Sequence, residues 1–509
     1  MTGIWAGVKS ARNEPALADL AAIARRDLER LNFPAANWVP PQPRPEGPAD
    51  GRPALDVLII GAGLCGQTAA FALMRDGVRN IRVVDRAAMG EEGPWGTYAR
   101  MDILRSPKHL TGPDLGVPSL TFRAWYEAQH GPDGWQRLHK VGRLDWRDYL
   151  IWVRETVGIP VENGVAVTAL QPEAAGVVVT LQKAGATERV FVRKVVLACG
   201  RDGAGGVRLP AFPGLLAVVG DAGQRQRARC FHSSDAIDFA GLVGHSVAVL
   251  GAGASAFDCA ASALEAGAAK VALYVRGAHL PQVNKSKAAS FPGFLKSFST
   301  LDDATRWQLM TYIFAEKVPP PYESVLRCEA HPGFAIRFGE PWLDVLPDAP
   351  DGTRGGTRSV TVRTAKGDTR FDAAIFGTGF DVDLSQRPEL SGFSHDILLW
   401  GDRVEPSQAA DNPECARYPY LGAGFEFLPR TGGATPGLGH IHAFNWGVTL
   451  SHGAVAGDIP GLRIAVDRLS EALCRALFAA DLGEHWRRLQ AADEPELAPT
   501  PYFVSRDQR

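Results

Sequence analysis

Two short apolar runs organise this chain: Asp56-Val57-Leu58-Ile59-Ile60 and Ser246-Val247-Ala248-Val249-Leu250. Runs of this length, closed by glycine, read as strands buried on both faces. Each leads into a glycine turn, then an alanine-rich segment of helical pattern, then a second run, Ile81-Arg82-Val83-Val84-Asp85 or Val271-Ala272-Leu273-Tyr274-Val275-Arg276. Strand, turn, helix and strand in that order make the βαβ unit of a parallel sheet. The unit occurs twice, over residues 54–86 and again from residue 245.

The remaining pattern predicts simpler elements. Residues 14–31 have the 3.6-residue period of an amphipathic helix, and a stretch with Pro40, Pro41, Pro43, Pro45, Pro48 and Pro53 reads as an extended linker. Residues 87–135 read as loop, and 144–157 as a helix carrying Trp146, Tyr149 and Trp152. Alternation over 161–199 predicts a strand meander ending in Val195-Val196-Leu197-Ala198-Cys199-Gly200. Residues 282–320 are helical and aromatic, an insertion over the site; 358–376 form two strands joined by Lys366-Gly367-Asp368; a final helix covers 460–479.

The turns are Gly61-Ala62-Gly63-Leu64-Cys65-Gly66 and Gly251-Ala252-Gly253-Ala254-Ser255-Ala256. In such a turn the first glycine permits the tight bend and the second lets the backbone approach a pyrophosphate. The third position packs helix against strand. The helix N-terminus then faces the phosphates with free N–H groups. Asp85 follows the first turn by about 20 residues, where a carboxylate accepts from an adenosine ribose; Arg86 stands beside it. The second strand ends in Arg276 with no acid, and a guanidinium there suits a 2′-phosphate. A solvated strand-end charge is the competing reading of both. The second site therefore reads as NADPH and the first, by elimination, as FAD.

The expected fold class is α/β, with two Rossmann-like dinucleotide-binding domains in a glutathione-reductase-like arrangement. The expected order is an N-terminal helix and linker (1–53), the first part of an FAD domain (54–225), an inserted NADPH domain (226–370), and the rest of the FAD domain with the C-terminal helix (371–509). A net charge of −2 gives nucleic acid or an anionic membrane no special attraction. The apolar stretch 57–74 contains three glycines, Gln67 and Thr68, and reads as a buried strand-turn-helix rather than a membrane span. Seven scattered cysteines without a CxxC pair, and no visible signal peptide, suit a reducing cytoplasm. The missing pair also argues against a flavin disulfide reductase. A homo-oligomer is compatible with the sequence.

Further motifs carry a family resemblance. Phe231-His232-Ser233-Ser234-Asp235 precedes the second turn, Gly377-Thr378-Gly379-Phe380 follows the second unit, and Pro210 and Pro213-Gly214 lie between the units. With Pro94-Trp95-Gly96-Thr97, these segments resemble the fingerprint, the crossovers and the flavin loop of the class B flavoprotein monooxygenases. The resemblance covers residues 55–480. Arg143-Leu144-Asp145-Trp146-Arg147-Asp148-Tyr149, Pro281-Gln282-Val283-Asn284 and Thr449-Leu450-Ser451-His452-Gly453 are similar to segments of the ornithine and lysine N-hydroxylases within that group.

The resemblance implies a cycle in which NADPH reduces FAD, O2 forms a flavin C4a-hydroperoxide under retained NADP+, and the distal oxygen passes to a small polar substrate. N-hydroxylation is the leading chemistry. Hydroxylation of a heterocycle such as urate, Baeyer–Villiger insertion and S-oxidation remain alternatives, as does a non-catalytic nucleotide-binding redox protein. Trp95, Gly377, Thr378 and Gly379 join the turn residues as cofactor contacts. Asn445, His232 and Arg105 are the expected catalytic residues, with a structural histidine as the competing reading of His232. Lys108, Asn284 and Lys285 are the expected substrate contacts. With Arg105 and Lys287 the lysines form a positive pocket, suited to an anionic or polar heterocycle; solvated surface residues are the competing reading. Ser451 and His452 are candidates for the flavin edge. No metal site is expected: His440 and His442 lack a matched acid or cysteine spacing.

Overall fold

The computed structural model describes residues 12–43, 53–110, 112–217, 221–347 and 359–505. Pro45 and Pro48 of the predicted linker lie outside these residues. Two parallel sheets dominate. In the first, the strands run in the order Val161–Asn163, Ile81–Asp85, Leu55–Ile60, Ala186–Leu197, Gly176–Lys183 and Val165–Glu173. The last two pair antiparallel, as the predicted meander, and the end of Ala186–Leu197 also holds Ile441–Ala443 in parallel register. The chain's late segment thus returns to the first sheet beside the first turn.

The second sheet is entirely parallel: Phe334–Phe338, Lys270–Val275, Ser246–Leu250, Ala373–Phe376 and Cys230–His232. Ala373–Phe376 belongs to it, so the sheet reaches past residue 370. Its residues are fully buried apolar side chains, as a central strand covered on both faces requires. The two chain crossings are zipped together, because Gly205–Val207 pairs antiparallel with Phe380–Val382.

Most predicted elements fall where the pattern put them, including the helices Glu14–Arg30, Arg143–Val157 and Leu462–Ala480. Others correct the reading. Phe122–Arg137 is a helix inside the expected loop; Thr121 caps it by accepting from Ala124 N, and Gly131 (φ 69°) kinks it before Pro132. The glycine and proline that read as a break are absorbed as a bend. Helices Tyr322–Glu329 and Leu482–Ala491 and strand Trp342–Pro347 were also not expected. The insertion forms helices Lys285–Ala288, Pro292–Ser297 and Asp303–Ala315. It follows the second unit in sequence, yet Leu295, Phe298, Trp307, Met310 and Ile313 are buried in the core of the first. Trp307 stacks on Trp400, with centroids 6.1 Å apart.

Candidate dinucleotide sites and the cleft between them

The first turn is built by exclusion. Gly61 has φ +100°, and a Cβ on it would lie 2.6 Å from Ala198 O. A Cβ on Gly66 would lie 1.8 Å from Gly61 O, so only glycine lets helix Leu64–Arg75 sit this close to its strand. Asp85 staples the turn: one carboxylate oxygen accepts from Ala62 N (2.7 Å), the other from Ala87 N (2.8 Å). Arg86 is exposed and ends 3.9 Å from Asp202.

The flavin-loop segment is held from behind. Glu92 is buried and accepts from Arg154 (2.7 Å), Asn163 (2.6 Å) and Gly90 N (2.7 Å). Arg143 donates to Trp95 O and to Met101 O. The loop brings Gly93 against Gly63; a Cβ on Gly63 would come 3.7 Å from the Gly93 Cα.

The second turn solves the same problem differently. Gly251 has φ +135° and its Cβ position is blocked by Gly377 O at 2.5 Å. Ala256 stands at the third position, and room for its methyl comes from the crossover: a Cβ on Gly377 would lie 2.5 Å from the Ala256 Cβ. Ser255 is exposed at the helix start, and Arg276 is exposed directly after strand Lys270–Val275. Thr378 donates to Arg208 O, tying the two crossings together.

The residues present fit two dinucleotides. Helices Leu64–Arg75 and Ala254–Glu265 both begin at a glycine, Gly63 or Gly253, with no side chain capping the first N–H groups. Helices Glu14–Arg30, Phe122–Arg137 and Asp303–Ala315 carry Asn, Thr or Asp caps that accept from the backbone. The two bare N-termini leave their donors and dipole ends for phosphates.

Several expected site residues have other work. His232 is fully buried: one ring nitrogen meets Ser234 Oγ (2.7 Å), the other Gly379 O (2.9 Å). Burial lowers its pKa, so the neutral ring, with a proton toward Gly379 O, locks the crossover. It is a positioning residue, not a catalytic one. Asn445 is buried too, donating to Leu197 O (3.0 Å) and accepting from Gly447 N (2.9 Å). It fastens the returning segment to the first sheet, which corrects its catalytic assignment. Lys108 donates to Trp135 O, Gln136 O and Leu138 O, at 2.6, 3.3 and 2.7 Å. Free carbonyls at the end of Phe122–Arg137 attract the ammonium, so it caps a helix in place of binding substrate.

Asn284 accepts from Lys287 N (3.1 Å), capping the short helix Lys285–Ala288, and the Lys285 ammonium lies 5.5 Å from the Tyr312 ring centre. Ser451 is buried and bonded to Trp400 Nε1, Leu421 N and Pro419 O. Burial pushes His452 down to about 3, and its Nε2 meets Gly422 O. Neither residue presents a free edge to the cleft. His442 is buried against Gly424 O and His440 meets Ala174 O. Among the described residues no group of three metal-ligating side chains is present.

Arg105 does reach the cleft. It is exposed, donates to Pro319 O (2.7 Å), and lies within electrostatic reach of Arg201, Asp258 and Asp458. Gly457 and Asp458 escaped the sequence reading. Gly457 N meets Cys65 Sγ (3.3 Å) in the first turn, which puts Asp458 at the same cleft. The available signal was the glycine-acid step ahead of the last long helix.

Two uncapped nucleotide turns facing one cleft define a flavoprotein that brings two dinucleotides together. Comparison with known proteins agrees. Residues 58–202 match a family model described as FAD-NAD(P)-binding, and residues 135–317 match one for L-lysine 6-monooxygenase/L-ornithine 5-monooxygenase. The chain is 40% identical to an FAD-dependent urate hydroxylase of Xanthomonas campestris over 465 residues, covering 91% of this chain and 94% of the relative. Among solved structures, ornithine hydroxylase from Pseudomonas aeruginosa is 16% identical, with a TM-score of 0.61 over 83% of this chain and all of that one. Ornithine N-hydroxylase from Kutzneria, holding reduced FAD, NADP+ and L-ornithine, is 15% identical, with a TM-score of 0.62 over the same shares. The chain belongs to the class B flavoprotein monooxygenases, and it is an FAD-dependent enzyme of that family. Among the described residues no helix is long and apolar enough to cross a membrane.

Proposed function

We propose that this enzyme uses NADPH and O2 to hydroxylate a small planar oxopurine of the urate type. The observation that carries the reading is the 40% identity to an FAD-dependent urate hydroxylase across both nucleotide units. The geometry supports it from the other side: Lys108 is committed to a helix end and Asn284 to a cap, so neither is free for an amino-acid substrate. Bound FAD supplies the oxygen-activating chemistry. The protein holds the pyrophosphates at the two bare helix ends, keeps Arg276 for a 2′-phosphate, and covers the site with the insertion. We assign the enzyme to the cytoplasm, where NADPH is available and the seven cysteines, all free, stay reduced.

The test is oxygen and NADPH consumption by the yellow holoenzyme. Urate should stimulate both in equal amounts, with little H2O2. A second reading, N-hydroxylation of an amine, draws on the match of residues 135–317. Stimulation by ornithine, lysine or a diamine, with none by urate, would replace the first reading by the second.

A further inference from the structure

Two arginines meet in the cleft without a carboxylate at ion-pair distance from either among the described residues. Arg201 follows Gly200 at the end of the first sheet and lies flat on Trp446, its guanidinium carbon 4.1 Å from the ring centre. Trp446 is itself fixed, donating from its indole to Tyr418 Oη (3.1 Å) and from its backbone to Gly200 O (3.4 Å). Arg105 comes from the loop of the first unit and is steadied only by the neutral carbonyl of Pro319, at 2.7 Å. Both side chains are exposed, yet burial and the like charge of Arg201 hold the Arg105 pKa below its usual value.

The nearest acids do not neutralise the pair. Asp258 is bonded to Ser324 Oγ (2.6 Å) and faces Arg327 (3.6 Å). Glu323 is paired with Lys140, and Asp458 accepts from Ile459 N (2.9 Å). Holding two like charges together is unfavourable unless something anionic joins them. A guanidinium stacked on an indole keeps its N–H edge free and its plane fixed, which suits bidentate recognition of a planar anion.

We propose that Arg201 and Arg105 are the specificity-determining pair of the substrate site, offering two N–H forks to one planar, monoanionic heterocycle. The proposal rests on the oxopurine reading for the identity of that ring, and on the cleft geometry for its charge and shape. The same pair repels a substrate that enters as an ammonium ion, which separates this enzyme from the amine hydroxylases it resembles in fold.

The experiment is a binding titration of the FAD-loaded enzyme with NADP+ present, following the flavin spectrum or heat. The probes are urate and orotate as planar monoanions, caffeine as a neutral planar ring, and L-ornithine. In Arg201→Gln and Arg105→Gln, urate and orotate should bind about 10- to 100-fold more weakly, the range for losing a charge-assisted contact. Caffeine binding, flavin content and NADP+ affinity should hold, and Arg201→Lys should recover only part of the loss. Unchanged urate affinity in Arg201→Gln overturns the clamp and leaves the oxopurine reading standing. Loss of NADP+ or FAD affinity in place of urate affinity assigns the arginines to a cofactor and also overturns it. Arg201-dependent binding of orotate with no binding of urate sustains the clamp and removes the oxopurine reading. A wild-type enzyme that binds neither anion ends both.

Discussion

The two nucleotide units share a plan and differ in how they are held. In the first, the helix after the turn is apolar throughout, and its buried Thr68 spends its hydroxyl on its own helix, donating to Leu64 O at 2.6 Å. In the second, the residue at the same place in the helix is Asp258, a buried carboxylate bonded to Ser324. Next to it Arg327 spans both units: it donates to Arg100 O (3.0 Å) and pairs with Asp102 (3.2 Å) of the first and Glu265 (2.7 Å) of the second. The first unit is set by close packing alone; the second is wired to its neighbour by charge. A fold with one fixed and one charge-tethered nucleotide unit suits chemistry in which the two cofactors must meet in one orientation.

The largest effects should come from the packing that separates the turns. Gly66→Ala places a methyl inside the backbone of Gly61, so the helix must leave its strand, and the protein should be recovered without flavin or not at all. Ala256→Gly, at the matching position of the second turn, should cost only about 1 kcal/mol, the helix propensity of alanine over glycine. Flavin content and melting temperature report both, and a flavin-replete Gly66→Ala enzyme would break the comparison.

The second turn makes a sharper case, because its missing side chain is displaced to Gly377. Gly377→Ala should collide with Ala256 and lower the melting temperature by several degrees. Ala256→Gly in the same chain should restore much of it, since the two positions share one space. Additive losses in the double variant would show that the two residues do not share that space.

Arg276→Ala should act on one unit only. Losing the guanidinium at the end of the second strand should raise the NADPH KM by about 10- to 100-fold and leave NADH nearly unchanged. Equal effects on both coenzymes would deny it contact with a 2′-phosphate.

Both turns were legible in the sequence because the residues that make the strands and bends are also the chemical signature. The side chains around them were less so. His232, Asn445 and Lys108 are of catalytic type, but a sequence shows which groups can donate and not what they face. Each is consumed by backbone carbonyls contributed by segments far away in the chain. Arg201 carried no mark, since its role depends on Trp446, brought beside it only when strand Ile441–Ala443 joins the first sheet. The insertion was legible as helix but not as a part of the first core, because burial partners are a tertiary property. Helix Phe122–Arg137 was hidden by Gly131 and Pro132, which break a helix in isolation but only bend one whose face is held by Trp125 and Trp135 in the core.

The smallest effect expected is a dependence on pH confined to the second unit. Burial raises the Asp258 pKa to about 6, with the Ser324 bond and Arg327 opposing the rise. A carboxyl whose folded pKa exceeds its unfolded value binds its proton more tightly in the folded state. Its contribution is fully present below the unfolded pKa, near 4, and is lost as pH climbs through about 6. Asp258→Asn removes the titration while keeping the shape, and the Thr68 position of the first unit has nothing comparable to lose. The melting temperature of the wild type relative to Asp258→Asn should therefore fall as pH rises from 5 to 8, by a few degrees at most, because Arg327 compensates part of the buried charge. Thr68→Val should show a difference that does not vary over the same range. A wild-type advantage that grows with pH would mean that the ion pair with Arg327 outweighs burial. Asp258 would then strengthen the tether between the units as it ionises, reversing the sign of the contrast.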